Sequence, residues 1–411
     1  MAILITGPTS VGKSTFLDQR EKFGIAGGRV RFGSHVQAND IQRGDLIHYN
    51  LLHPVSVKPA YIGVEPDFLD EPIFNRILES GIVDRAIVMI ASIDDLIHRI
   101  EARTVVERGV ETPYNPGGWS KIIQRVNLHA VYEKLFDTLD AKGIPFEVLF
   151  SCGTDTPSFL PTDRVLTHAN LRGRYVLPPS PKRVEALLKD PYCHYQEVDL
   201  PGGIKTHSKG YGHLAGRASF KTVMPANCHN QSFLEIGCAL GLLLYTAERL
   251  GGSRLVGIDL HEGRHRAARE IGAILNSNVV FLNANFNDVV LQEKFDHVFT
   301  MNVIHHIHDY RRFLDLCARA TRKTFTIEFP GIDDNIYGAG LPMDGAARRA
   351  LNALPLMGVS NRKADQSYVF TPTAIERILM DDLGHFDKVE TIKSTIRGRL
   401  ALRFSRTQPA A

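Results

Sequence analysis

Cysteine is sparse in this chain: five in 411 residues, at Cys152, Cys193, Cys228, Cys238 and Cys317, with no C-x-x-C pair among them. That spacing argues against a zinc ribbon or a dithiol motif and fits free thiols in a reducing compartment, so a cytoplasmic setting is expected. No apolar run approaches the roughly 18 residues needed to cross a bilayer, and no membrane span is expected. The opening MAILITGP lacks the basic lead of a secretory signal. Charge of one sign is also lacking. Lys and Arg number 48 against 45 Asp and Glu, for a net +3, so nucleic acid is a less expected partner than a small molecule. There is no internal repeat and no low-complexity tract.

What is present is an ordinary globular composition, 44% hydrophobic and 23% charged, long enough for two or three cores. The first half alternates strand and helix. Ala2–Thr6 reads as a strand, about Lys13 to Lys22 as a helix, and Arg29–Ser34 as a second strand. RAIVMIA (85–91) is a continuous apolar run of the kind a buried parallel strand shows. Ser92 with Asp95 three residues on starts a helix. TVVERGVETPYNPGGW (104–119), rich in Gly and Pro, is expected to be neither helix nor strand. A long helix over about 120–142 ends at Gly143, and PFEVLFS (145–151) gives another strand. The pattern lapses over 152–190, where PPSPK is a stiff connector. It resumes at Ser232 and closes with FDKVETIKS and GRLALRFSR, an antiparallel edge pair. Domains are expected at 1–165 and 191–411, joined by a linker over 166–190.

GPTSVGKST (7–15) fits G-x-x-x-x-G-K-[ST], the phosphate-cradling P-loop, between an apolar strand and a helix. Gly7 and Gly12 let backbone N–H groups approach phosphates, Lys13 reaches the outer phosphates, and Ser14, followed by Thr15, is the candidate Mg²⁺ ligand. Arg99 and Arg103, four apart in HRIEAR, share one helix face, and Arg108 follows. This layout resembles the small-molecule and nucleotide kinases. The resemblance implies ATP and Mg²⁺, with Lys13, Arg99 and Arg103 stabilising the transferred phosphoryl group. Surface ion pairs of the two arginines with Asp95 and Glu101 are the competing reading. NDIQRGDLIHYN offers Asp40, Asp45 and His48 to orient an acceptor hydroxyl, and Asp45 is favoured. RAIVMIA ends without the acid expected beside the metal.

FLEIGCALG (233–241) supplies Glu235, Gly237 and Gly241 in a turn after an apolar strand, and LVGIDL ends that motif's neighbour at Asp259, eighteen residues on. VVFLNANF (279–286) and FDHVFTMNVIHHI (295–307) follow. The order and spacing of the four segments, over about 230–406, resemble the class I S-adenosylmethionine-dependent methyltransferases. The resemblance implies that Glu235–Gly241 hold the amino-acid end of the donor, Asp259 the ribose, and Asn285 with Phe286 the adenine edge. Ala239 departs from the usual middle glycine, and Asn285 from the usual acid. A nicotinamide-type Rossmann domain is the alternative. His305 and His306 are candidate general bases, since imidazole titrates near neutral pH. His207, Lys209 and Arg217 in the lead-in are candidates for meeting an anionic acceptor.

The expected fold class is therefore α/β, with two doubly wound domains: an N-terminal P-loop kinase-like parallel sheet and a C-terminal Rossmann-like methyltransferase sheet with an antiparallel edge. The pairing suggests phosphorylation and O-methylation of one small-molecule or saccharide acceptor. It resembles the kinase–methyltransferase fusions that cap bacterial polysaccharides only in the pairing of activities. The competing readings are an RNA-end or tRNA-modifying kinase/methyltransferase, and a methyltransferase gated by nucleotide binding to the first half.

Overall fold

The structure is a computed structural model that describes residues 2–32, 41–51, 61–62, 69, 71–107, 110–113, 118–152, 157–162, 181–206, 222–275, 277–332, 334, 343–359, 368–394 and 398–407. The chain divides into compact units over Met1–Pro179 and over Ser180–Ile271 with Val279–Ala411. Among the described residues no helix is long and apolar enough to cross a membrane.

The first unit is built on a six-stranded sheet in the order 30–32, 46–50, 2–7, 83–90, 146–152, 158–162. The first five strands are parallel and the last is antiparallel. Val83–Ile90 is central because its neighbours cover it on both edges and its last five residues are all buried, which the unbroken apolar run AIVMI permits. Ser92 caps the next helix, Ile93–Ala102, by accepting from the Asp95 N–H at 3.0 Å.

Three local expectations change in this unit. The helix after the glycine loop is shorter than predicted, Lys13–Asp18, and continues as a 3-10 turn to Phe23. The stretch after Ala102 is an antiparallel hairpin of Thr104–Glu107 with Val110–Pro113, not irregular chain. The β-branched residues of TVVE and VETP favour extended backbone, and this local preference outweighs the overall Gly and Pro content. The long helix over 120–142 is two, Trp119–Arg125 and Leu128–Ala141. The break falls at Asn127, whose side chain accepts from the Ala130 N–H and so caps the second helix.

The second unit carries a seven-stranded sheet in the order 280–283, 255–259, 233–236, 295–301, 321–330, 399–405, 388–392. Arg399–Ser405 runs against both neighbours, and the others pair in parallel. All four residues of Phe233–Ile236 and all seven of Phe295–Met301 are buried. In each unit the loop after the first strand opens at the carboxyl ends of parallel strands, where the chain departs to opposite sides. Open α/β sheets bind ligands at that place.

Candidate active sites

In the first unit the turn Gly7–Gly12 wraps the carboxyl end of its strand. Gly7 has φ +150° and lies against the next strand, so a Cβ there would stand 2.5 Å from the Met89 carbonyl oxygen. Only glycine fits. The loop borders a cavity of about 590 Å³ lined on one side by Thr9, Ser10, Gly12, Lys13, Ser14 and Thr15. Phe32, His48 and Asn50 form the facing wall, with Arg99 and Arg103 beside them. Lys13 is buried, and its ammonium donates to the carbonyls of Gly7 at 2.9 Å and Pro8 at 2.6 Å. Burial, and then the charge of Arg103, lower its pKa to about 7. Ser14 is exposed at the cavity.

The two arginines do different work. Arg99 is buried, and donates to the Ser151 Oγ at 2.9 Å and the Ser151 carbonyl at 3.1 Å. It also reaches the Ser10 and Val11 carbonyls at 3.4 Å, and lies 4.0 Å from Asp95. It thus braces the glycine loop against strand 146–152. Arg103 caps the end of the helix, exposed, and lines the same cavity as Arg99.

Asp45 is a correction. Its carbonyl accepts from Ile3 N at 3.0 Å, at the amino end of the strands, while Asn50 pairs with Gly7 at the other end. Four residues of strand separate the two levels, about 13 Å. Asp45 is buried in an ion pair with Arg29 at 3.1 Å, with Arg31 at 3.9 Å. Burial raises its pKa, but hydrogen bonds from Arg29 and the Gln42 N–H and the two arginine charges outweigh it and hold the carboxyl below its ordinary value. It is a structural anchor and cannot orient an acceptor at the glycine loop. His48 and Asn50, two and four residues beyond Leu46, face the cavity instead. Asp40 and Arg108 lie outside the described residues.

In the second unit Gly237 has φ +72°, and a Cβ there would stand 2.3 Å from Val303 Cγ2. Its strand ends at Glu235–Ile236, with the Glu235 side chain buried. Asp259 ends the adjacent strand; its Oδ2 accepts from the Ala239 N–H and its Oδ1 from the His261 N–H, both at 2.8 Å. Asp259 therefore ties the glycine loop to its own turn and keeps lone pairs for further donors, since a carboxylate accepts about four hydrogen bonds. Leu260, next to it, is 72% exposed. The lead-in contributes Gln196, whose buried Oε1 accepts from the N–H groups of Leu240 at 3.0 Å and Leu242 at 3.3 Å. Asn285 caps a short turn by accepting from Asn287 N at 3.2 Å. The Phe286 ring is buried edge-on against Phe313. His305 is buried, and its ring lies 3.9 Å, centroid to centroid, from that of exposed His306, tilted by 42°.

A protein-family profile described as a methyltransferase domain matches residues 233–324, the span that holds Gly237, Asp259 and the histidine pair. Residues 233–324 form a class I S-adenosylmethionine-dependent methyltransferase domain. The chain is 32% identical over 85 residues to a ubiquinone biosynthesis O-methyltransferase of Nitrobacter winogradskyi, covering 21% of this chain and 32% of that one. A protein of the same description from Rhodopseudomonas palustris is 30% identical over 113 residues, covering 28% and 44%. The chain thus spans less than half the length of these relatives. A methyltransferase of Mesorhizobium loti aligns in structure with a TM-score of 0.36 and 19% identity, covering 46% of this chain and 96% of that one.

Two features had no sequence signal. Gln196 stands in a polar lead-in, and nothing in YQEVD marks it as the loop's partner. Beside the methyltransferase site, Asn302, at φ +62°, donates to the buried Glu328 and accepts from Arg399 at 2.6 Å. Ser394 donates to Glu328 at 2.7 Å, and Arg399 pairs with buried Asp334 at 3.1 Å. These residues come from four separate segments. His207, Lys209 and Arg217 lie outside the described residues.

Proposed function

We propose that the chain is a bifunctional enzyme. The first unit transfers a phosphoryl group from ATP to a hydroxyl of a small molecule or saccharide. The methyltransferase domain then methylates an oxygen of the same molecule, a hydroxyl or the new phosphate. The observation that carries the reading is the cationic cavity of Lys13, Arg99 and Arg103 beside the glycine loop, in one chain with a methyltransferase domain. An oxygen acceptor is supported by the relatives, which are described as O-methyltransferases.

In the first unit Lys13 moves from its loop carbonyls to phosphate oxygens, Arg103 neutralises charge from the cavity side, and Arg99 keeps the loop in shape. Ser14 and Thr15 would offer hydroxyl oxygens to Mg²⁺, which would supply positive charge beside the phosphates. In the second unit the turn Glu235–Gly241 holds the methyl donor's amino-acid end and Asp259 accepts from the ribose hydroxyls. S-adenosylmethionine, when bound, supplies an electrophilic methyl group. The residues' task is in-line positioning of the acceptor oxygen, with His306 placed to take a proton where that oxygen is a hydroxyl.

A second reading is a nucleotide switch that gates methylation. It is favoured by one observation: among the described residues lining the cavity none is a carboxylate. Incubating a cell extract with the protein, ATP and S-adenosylmethionine, each omitted in turn, separates the two by mass spectrometry. A product heavier by phosphate plus methyl, whose methyl disappears without ATP, supports coupled transfer. Methylation that needs ATP without gain of phosphate supports the switch, and methylated RNA in place of a small product refutes the acceptor class.

A further inference from the structure

We propose that His48 is the general base of the first unit, taking the proton of the acceptor hydroxyl as the phosphoryl group is transferred. The inference rests on the kinase reading above and names the residue that reading lacks.

The geometry comes from the sheet. Leu46–Asn50 lies beside the glycine-loop strand with Ile5 opposite His48 and Gly7 opposite Asn50, so Asn50 stands at the level where the loop begins and His48 two residues before it on the same face. The strand's burial alternates over its last three residues, His48 and Asn50 partly open and Tyr49 buried, which puts the first two on the cavity side. Phe32, paired with His48 across the parallel strands and 53% exposed, sets its ring 5.1 Å from the imidazole and gives the base an apolar flank. Lys13 and Ser14 line the same cavity. Among the described lining residues none is a carboxylate and His48 is the one imidazole, so with Lys13 engaged by phosphate it is the side chain left to take the proton of a hydroxyl held there.

Among the described residues, the charged groups that share the cavity with His48 are Lys13, from the glycine loop, and Arg103 and Arg99, from the end of helix 93–102. Burial, Lys13 and then Arg103 together hold the imidazole at about 4, while its own backbone hydrogen bond raises it. It is thus neutral at physiological pH and a weak base while the cavity is cationic. A triphosphate that takes up the charges of Lys13 and Arg103 removes two of the three depressing causes, so its arrival raises the imidazole's basicity toward its ordinary value. The base is switched on by the phosphoryl donor, and the acceptor proton is removed only once the donor is seated.

The step balances. The acceptor oxygen forms a bond to the γ-phosphorus, and the bond from that phosphorus to the β–γ bridging oxygen breaks, its electron pair leaving with the nucleoside diphosphate. The hydroxyl proton passes to a ring nitrogen of His48, and the imidazolium later releases it to water.

The test uses the full chain with ¹³C-labelled histidine, the His48 signal being assigned by its loss in His48→Gln. Titration with and without the Mg²⁺ complex of β,γ-imido-ATP is expected to raise the His48 pKa by at least one unit. His48→Gln is expected to bind the analogue within about threefold of wild type. It should slow transfer from γ-labelled ATP into the small-molecule fraction of a cell extract by about a hundredfold or more. Analogue binding without a pKa rise, or transfer retained in His48→Gln, overturns the role of His48 and leaves the nucleotide site standing. Failure of the wild type to bind the analogue, or to transfer label at all, overturns the kinase reading and this proposal with it.

Discussion

Asp259 Oδ2 accepts from the Ala239 N–H at 2.8 Å, joining the turn after one strand to the loop after its neighbour. The same carboxylate also fixes the His261 N–H, so its removal loses two backbone partners, and on the proposed function the ribose acceptor with them. Asp259→Ala is expected to weaken S-adenosylmethionine binding by about 2–3 kcal/mol or more, the range of a charge-assisted hydrogen-bonding group whose partners are left unpaired. Calorimetric titration measures it. Unchanged affinity would remove Asp259 from the donor site.

Arg99 and Arg103 should separate cleanly. Arg99 is buried with Ser151 as its main partner, and truncation strands the loop carbonyls and the Ser151 groups. Arg99→Ala is expected to lower the first unit's stability by about 2–3 kcal/mol and to lose nucleotide binding with it. Arg103→Ala removes an exposed group, so stability should stay within about 0.5 kcal/mol while phosphoryl transfer falls. Unfolding and transfer measured on both variants check the division. Equal loss of stability in the two would refute it.

The sheets were legible where one signal dominated. FLEIGCALG, LVGID and VFTMN each carry a glycine turn, an acid or an unbroken apolar run, and the methyltransferase fold follows from their order. Asp45 misled because sequence offset alone does not say at which end of a strand a residue stands; its register with Ile3 does. The Asn302–Glu328–Arg399 cluster was invisible, since its members are up to 97 residues apart and meet only through the antiparallel return of strand 399–405.

Among the described residues, Lys13 donates to the carbonyls of Gly7 and Pro8, both of its own loop. Lys13→Ala should therefore abolish phosphoryl transfer and leave S-adenosylmethionine affinity in the methyltransferase domain within about twofold. Titrating the variant with both ligands tests this. Loss of both affinities would mean that the halves act as one cooperative unit.

His297, buried in strand 295–301 with its Nδ1 2.7 Å from Thr324 Oγ1, is depressed to about 4. Burial is the largest cause; Lys323 and Arg403 add to it and Asp296 opposes it. Below the ordinary value of 6.5 the unfolded chain takes a proton that the folded chain refuses. Stability should therefore fall as pH drops from 6.5 toward 4 and level off below, by at most about 3 kcal/mol. Hydrogen exchange in strand 295–301 at pH 7.5 and pH 5 measures the fall. His297→Gln should flatten it, and an equally steep fall in the variant would assign the pH dependence to other groups.

Gly237 and Ala239 sit two residues apart in left-handed backbone, at φ +72° and +50°, yet substitution should move them in opposite directions. Gly237→Ala meets both the left-handed penalty of about 1–2 kcal/mol and a contact with Val303 Cγ2 that cannot stand at 2.3 Å. A loss of about 2 kcal/mol or more is expected, part of it recovered in combination with Val303→Ala, since that removes the clash and not the strain. Ala239→Gly relieves the same penalty but frees the unfolded chain by about 0.4–1 kcal/mol. The net should be a gain of up to about 1 kcal/mol, with the bond from residue 239 N–H to Asp259 kept because it is made by the backbone. Urea unfolding of the three variants decides. If Ala239→Gly destabilises, the alanine methyl is holding the loop by contact, and the departure from glycine at this position is a packing choice, not a tolerated strain.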